Sequence, residues 1–132
     1  MGYMVSPLPY NTVRRGDYTP CIRWFNHNII SIMIVNTSFH IYRPILDDFL
    51  IWLRTVYATS AREAGMNDLR LSRIDFQPDP DTLSFAFSAA HDDGDEARRW
   101  HDTAGGELRA ALSEKFGERV LYFTTYMEEM DV

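Results

Sequence analysis

The pattern that most constrains the fold is an amphipathic helix predicted over residues 44–64. Pro44 suits the first helical position, where its missing N–H group costs nothing. Acidic residues in the first turn and Arg62 in the last turn complement the helix dipole, and Gly65 is placed to cap the C-terminus. The apolar positions follow helical periodicity: Ile45, Leu46, Phe49, Leu50, Leu53, Val56, Tyr57, Ala61 and Ala64. This face needs a second layer to cover it.

A second helix is predicted to begin near Asp93, with Asp93 as the N-cap and Glu96 reaching back to it, and to end at Gly117. In its middle, Gly105 and Gly106 are adjacent, which costs roughly 2 kcal/mol relative to two alanines. The apolar stripe keeps its phase across the pair: Ala97, Trp100, Ala104, Leu108, Ala111, Leu112 and Phe116. This continuity favours one unbroken helix over two helices with unrelated faces.

The remaining patterned segments are strands. Two strands are predicted around 26-NHN-28, and the second is almost continuously apolar, as is typical of a strand at the centre of a sheet. A hairpin is predicted over residues 69–76 and 83–89, because 77-QPDPDT-82 carries two prolines and two aspartates that favour a turn. A last strand over residues 119–127 is rich in β-branched and aromatic residues.

From Ile29 onward the order is therefore strand, long helix, strand, strand, helix, strand. This is the split βαβ order, and its two right-handed crossovers place both helices on one face of an antiparallel sheet. We expect an α+β, ferredoxin-like fold, in which an extra N-terminal edge strand could widen the sheet. The length of 132 residues predicts one domain over residues 18–132, preceded by an extended arm over residues 1–17.

The net charge of −6 is unevenly distributed. Residues 1–77 carry 8 Arg and 6 acidic residues, whereas residues 78–132 carry 5 basic and 13 acidic residues. This balance disfavours nucleic acid and anionic membranes as partners. The longest apolar run, 29-IISIMIV-35, is too short to span a bilayer, and the N-terminus lacks the features of a signal peptide. Cys21 is the only cysteine, so a reducing, cytoplasmic location is expected.

The sequence contains no recognisable catalytic or metal-binding motif. The acidic run 91-HDDGDE-96 lacks the alternating ligand spacing of a calcium loop, and His91 and His101 are too far apart along a helix to share a tetrahedral metal. We therefore predict no catalytic residue, no metal ligand and no cofactor. Two weaker ligand-binding hypotheses remain, a cleft near His91, His101 and Asp102, and an anion site at Tyr42 and Arg43 before the first helix.

Two surfaces are predicted to contact other molecules. A stripe of small residues on the outer face of the second helix would allow another helix to approach closely, and it consists of Thr103, Gly106, Ala110 and Ser113. Trp24, with its neighbours Arg23 and Phe25, lies on a predicted edge strand, and exposed Trp and Arg are enriched at interface hot spots.

These features favour a small bacterial-type interaction protein, a regulator, adaptor or inhibitor that acts as a homodimer or on a protein partner. One alternative is a small-molecule-binding or enzymatic domain that uses the cleft near the two histidines. Another is an acidic, dimeric chaperone-like protein that holds a basic client. Enzymatic activity is the less favoured of these expectations.

Overall fold

The computed structural model describes residues 22–25 and 28–132, with side chains from Ser31 onward. The described strands are β1 (Ile22–Phe25), β2 (Asn28–Ser31), β3 (Met33–Tyr42), β4 (Asn67–Arg73), β5 (Thr82–His91) and β6 (Val120–Glu128). The described α-helices are α1 (Leu46–Trp52), α2 (Ala58–Glu63), α3 (Gly94–Asp102) and α4 (Ala104–Phe116). The predicted arm over residues 1–17 and Cys21 lie outside the described residues.

The main sheet has the order β4-β5-β3-β6, and every pair of neighbours is antiparallel. Inward residues alternate along the strands, so Phe39 at the centre of β3 lies opposite Phe85 of β5 and Tyr122 of β6. These residues face the helices, which cover one side of the sheet. The predicted ferredoxin-like α+β fold is thus confirmed.

The N-terminal part differs from the expectation in two ways. Strands β1 and β2 pair with each other as a separate hairpin, so within the described residues they do not widen the main sheet. The central strand also continues to Tyr42, into the segment before the first helix where the sequence suggested an anion site. Thr37, Ser38 and His40 make this segment look polar, but Phe39 and Ile41 are fully buried between them.

The first long helix is interrupted by a wide turn. A 3₁₀ turn at Arg43–Ile45 leads into α1, and a π-helical turn at Leu53–Tyr57 separates α1 from α2, with Ala58 N–H bonded to Leu53 O. Because the wide turn uses extra residues, the buried face moves to Tyr57, Ala58 and Ala61. Val56 and Ala64, which the regular period placed in the core, are exposed instead.

The second long helix is two helices. Thr103 lies between α3 and α4 with φ −107° and ψ −94°, a conformation that no helix continues through. Asp93 is the N-cap of α3, as predicted, and accepts from the backbone N–H groups of Asp95 and Glu96. The prediction of one unbroken helix is therefore wrong. After the break, Gly105 and Arg109 replace Ala104 and Leu108 of the predicted stripe on the buried face of α4. The buried positions are Gly105, Arg109, Leu112 and Phe116.

The core between helices and sheet is strongly aromatic. Tyr57, from the π-helical turn, is fully buried, and its ring centroid lies 5.0 Å from that of Trp52 and 5.2 Å from that of Trp100. Phe39 contacts Phe49 at 5.1 Å between centroids. Such tilted and stacked pairs stabilise a core beyond the area that they bury. The Tyr57 hydroxyl needs a polar partner inside this core, which leads to the candidate site.

Candidate functional site

Arg109 is the only buried residue with a formally charged side chain among those that the structure describes, and 7% of its surface is exposed. Its Nη1 donates to the Tyr57 hydroxyl at 2.7 Å, and its Nη2 donates to the backbone oxygen of His101 at 2.8 Å. The His101 carbonyl is one of the last of α3 and lacks a helical partner. Arg109 therefore caps α3, where a positive charge also complements the helix dipole.

The glycine pair makes room for this arrangement. A Cβ atom at Gly105 would lie 3.1 Å from the Trp100 carbonyl oxygen and 3.1 Å from Nη1 of Arg109. A Cβ atom at Gly106 would lie 3.2 Å from the His101 carbonyl oxygen. Both glycines are therefore explained by the close approach of α4 to the end of α3 within one chain.

His101 lies at the centre of a polar cluster between α3 and β6, with 12% of its side chain exposed. Its Nε2 bonds Thr124 Oγ1 at 2.8 Å, and its Nδ1 lies 2.9 Å from the Tyr126 hydroxyl and 3.2 Å from Asp102 Oδ1. Burial lowers the pKa of His101, and the Asp102 carboxylate opposes that shift. The Arg109 guanidinium lies 3.5 Å from Nδ1 and disfavours a second proton there.

The cluster continues into the sheet. Thr124 Oγ1 lies 2.9 Å from Thr37 Oγ1, and Thr37 lies beside the Tyr57 hydroxyl that Arg109 holds. Burial raises the pKa of Tyr57, so this phenol remains neutral. These side chains form one connected polar cluster through the core. We call Thr37, Tyr57, His101, Arg109 and Thr124 the polar ring.

The polar ring has the connectivity of a proton relay, since Thr124, His101 and Asp102 follow one another at hydrogen-bond distance. The Thr124 hydroxyl, however, is held by Thr37 and lies on the helix-covered side of the sheet. Three surface grooves formed by described residues do not include Thr124. The arrangement therefore fits a satisfied polar core that fixes α3, α4 and β6 relative to one another.

The structure separates the other predicted ligand residues from His101 and Asp102. His91, at the end of β5, accepts from the Asp93 N–H at 2.9 Å and has no described contact with His101. Tyr42 is the last residue of β3, at the end of the sheet away from His91, and Arg43 comes directly after it. Arg43 Nε donates to the Pro80 carbonyl at 3.3 Å. Among the described residues, no group of three His, Cys, Asp or Glu side chains is placed to hold a metal ion.

The predicted interface residues remain predictions, but Gly106 now has a reason within the chain. Thr103 and Ala110 are exposed, whereas Ser113 is half-buried and donates to the Tyr122 hydroxyl at 3.3 Å. The side chains of Arg23, Trp24 and Phe25 lie outside the described ones, although their backbone forms β1.

A feature that the sequence analysis missed is the side of the sheet away from the helices, which we call the helix-free face. On strands β3, β5 and β6 none of its residues is Asp, Glu, Lys or Arg. They are Ile34, Asn36, Ser38, His40 and Tyr42, then Thr82, Ser84, Ala86, Ser88 and Ala90, then Leu121, Phe123, Thr125 and Met127. Alternation along 120-VLYFTTYM-127 was the available signal, because both sets of alternate residues there contain large apolar side chains.

The exposed part of the helix-free face is apolar and lies along β6. Leu121 is 58% exposed, Phe123 57% and Met127 41%, and we call these three residues the β6 stripe. Ser38 and Ser84, at the centre of the face, are buried. A row of large apolar side chains rarely remains in contact with water in a finished assembly.

Comparison with known proteins places the chain first in a fold class and then in a family. The architecture is similar to a designed protein, Foldit4 (TM-score 0.51, 9% identity, 74% of this chain and 98% of that one). It is similar to a protein from Bacillus halodurans described as an "ethyl tert-butyl ether d (ethd) family protein", with a TM-score of 0.51 and 19% identity over 74% of this chain and 99% of that one. It is also similar to a dimeric ferredoxin-like protein from an uncultured marine organism, with a TM-score of 0.50 and 11% identity over 77% of this chain and 99% of that one.

These likenesses establish a ferredoxin-like α+β fold. A family model described as "Domain of unknown function (DUF4286)" matches residues 32–130, and the chain belongs to that family. No curated protein sequence matches the chain. No helix in the described part of the chain is long and apolar enough to cross a membrane.

Proposed function

We propose that this protein is a homodimeric interaction module whose two copies pack their helix-free faces against each other. The observation that carries the proposal is the exposed β6 stripe on a helix-free face that has no charged residue on β3, β5 or β6. Charged residues make up 24% of the chain, yet on this face the three strands β3, β5 and β6 carry none, and Arg70 of β4 is the charged residue at its edge. Burial of the stripe against a second sheet would remove its apolar area from water.

Charge also favours this face over others for self-association. Each copy has a net charge of −6, so two copies repel each other wherever acidic residues meet. The helix-free face is neutral on three strands, and a contact there places no carboxylate opposite another. A two-fold dimer needs only one such self-complementary surface.

The two halves of the face differ in side-chain size. The β6 half carries the large residues of the stripe, whereas the β5 half carries small residues such as Ala86 and Ser88. Packed sheets keep their strand directions within about 30° of each other. A two-fold axis parallel to the strands and through the middle of the sheet then sets the β6 half of one copy over the β4–β5 half of its partner, in which the β5 residues of this face are small. Large side chains on small ones pack at native density.

The comparisons support the proposal without extending it. One similar structure is described as a dimeric ferredoxin-like protein, which shows that this architecture is compatible with a dimer. We place the module in the cytoplasm, because a single cysteine cannot form an intrachain disulfide. A regulator, adaptor or inhibitor that acts on a second protein is the role that this module would serve.

The proposal is tested by charging the β6 stripe. Phe123→Asp places a carboxylate at the centre of the proposed contact, and Ile51→Asp is the matched control, because Ile51 is 61% exposed on α1. Sedimentation velocity should show that Phe123→Asp is a monomer while wild type and Ile51→Asp are dimers. If Phe123→Asp sediments as a folded dimer, the helix-free face is not the contact.

A further inference from the structure

A basic groove lies at the β4 edge of the molecule. It encloses about 150 Å³ between the π-helical turn, α2 and β4. Its apolar floor consists of Leu53, Ala58, Leu69, Leu71 and Phe87. Arg54, Arg62 and Arg70 complete the lining, and no acidic residue is part of it. We call this site the arginine groove. Its volume equals that of roughly five water molecules, which is the scale of one apolar side chain.

The guanidinium groups of the arginine groove are available to a partner. Arg54 and Arg62 are not fully buried and form no ion pair with any residue that the structure describes. Arg70 bonds Asp68 at 3.1 Å, but this pair is exposed to water and therefore weak. Cations around an apolar floor suit an apolar side chain that is flanked by carboxylates.

The end of this chain carries that chemistry. Residues 128-EEMDV-132 begin at the last residue of β6, and Met130 stands among acidic residues with 69% of its surface exposed. Within the described part of the chain, the carboxylates of Glu128 and Glu129 form no ion pair. The C-terminal half of the sequence thus supplies the negative charge that complements the arginines of the groove.

The two features cannot meet within one copy. Strands β4 and β6 are the opposite edges of the sheet, three strand spacings or about 14 Å apart. The acidic segment is not part of the groove lining in the monomer. Contact between them therefore requires a second molecule.

We propose that the acidic segment Glu128–Asp131 of one copy occupies the arginine groove of its partner. This inference rests on the proposed dimer. A two-fold axis parallel to the strands places β6 of the partner subunit under β4. The pairing register puts Glu128 at the same end of the sheet as Asn67, the first residue of β4. The groove floor lies on the helix-covered side, so the segment turns around the β4 edge of its partner to reach it. The partner subunit's Met130 then enters the groove, and its carboxylates face the arginines.

The test is a charge swap measured by sedimentation equilibrium at low salt. Arg54→Glu/Arg62→Glu and Glu128→Lys/Glu129→Lys should each weaken the dimer at least tenfold, and the combined four-residue variant should recover most of the loss. Lys115→Glu is the control, because this exposed residue of α4 lies away from the groove. Each variant is first checked for an unchanged melting temperature.

The outcomes separate this inference from the proposed function. If Phe123→Asp is monomeric but both charge-reversed variants dimerise like wild type, or the swap restores nothing, the groove contact is wrong and the dimer stands. If wild type is itself a monomer, the dimer fails, and a peptide of residues 125–132 is titrated into it. Binding that is lost in Arg54→Glu/Arg62→Glu then supports the groove, and an absence of binding overturns it.

Discussion

The guanidinium of Arg109 gives the glycine pair its role. It lies against Gly105, donates to the end of α3 and holds the Tyr57 hydroxyl, so a helix break and a buried charge stabilise each other. Helical periodicity alone placed Gly106 on an outer face, because it assumed an unbroken helix. The local sequence could reveal that two glycines needed an explanation, but only the tertiary contact supplies it.

Gly105→Ala tests that explanation. Alanine has about 1 kcal/mol better helix propensity, but its Cβ would contact the Trp100 carbonyl and the Arg109 guanidinium. We expect a net loss of about 1–3 kcal/mol in the free energy of unfolding, measured by urea denaturation. In Gly94→Ala, the control, the new Cβ meets only the flexible end of Met33, and stability should change little. A more stable Gly105→Ala variant would show that the close approach does not exist.

His101 makes stability depend on pH. Its pKa in the folded protein is below the ordinary value of about 6.5, so the unfolded chain binds the proton first as the pH falls. The contribution of neutral His101 is therefore complete above pH 6.5 and is lost as the pH decreases toward the folded pKa. Between pH 7.5 and pH 5.5, urea denaturation should show a smaller loss of unfolding free energy in His101→Gln than in wild type. Equal losses of unfolding free energy in the two proteins would show that His101 does not cause the pH dependence.

At the scale of elements, strand and helix patterns predicted most of the fold. Periodicity located both long helices, the hairpin turn and the last strand, because burial on one face repeats with the geometry of each element. It missed the π-helical turn and the break at Thr103, since both change the phase of burial and are stabilised by distant groups. It also missed the extension of the central strand to Tyr42, since Thr37 and His40 are polar residues whose partners lie on other strands.

The joint between α3 and α4 is tested by Arg109→Met. Methionine preserves much of the volume but leaves the His101 carbonyl and the Tyr57 hydroxyl without their donor. We expect a loss of about 1–3 kcal/mol in unfolding free energy, and faster hydrogen exchange in the last turn of α3. Arg99→Met on the exposed side of α3 is the control. Unchanged exchange in α3 would mean that Arg109 does not hold the joint.

At the scale of the whole molecule, the distribution of charge is the organising feature. The helix-free face is neutral on β3, β5 and β6, whereas the β4 groove is basic and the end of β6 is acidic. The sequence contains the acidic half, and it also predicted self-association through the outer face of α4, which stays a prediction, whereas the proposed dimer uses the helix-free face. Which alternate residues of β6 remain exposed depends on where the helices pack, and a single sequence does not specify that directly.

The dimer should also respond to salt in a defined manner. Burial of the β6 stripe is insensitive to ionic strength, whereas the proposed contact of Arg54 and Arg62 with the partner's acidic segment is screened. We expect the dimer to weaken severalfold between about 0.05 and 0.5 M NaCl but to persist, as measured by sedimentation equilibrium. If the dimer strengthens with salt, the contact between the arginines and the acidic segment is wrong, and only the apolar contact of the β6 stripe remains.

The most direct test of the central claim is the native mass of the wild-type protein in solution over a range of concentrations. The chain has a mass of 15.4 kDa. Light scattering coupled to size exclusion should give twice that mass at micromolar concentration, and Phe123→Asp should give the single-chain mass under the same conditions. A wild-type protein that remains at 15.4 kDa up to the highest soluble concentration would contradict self-association through the helix-free face.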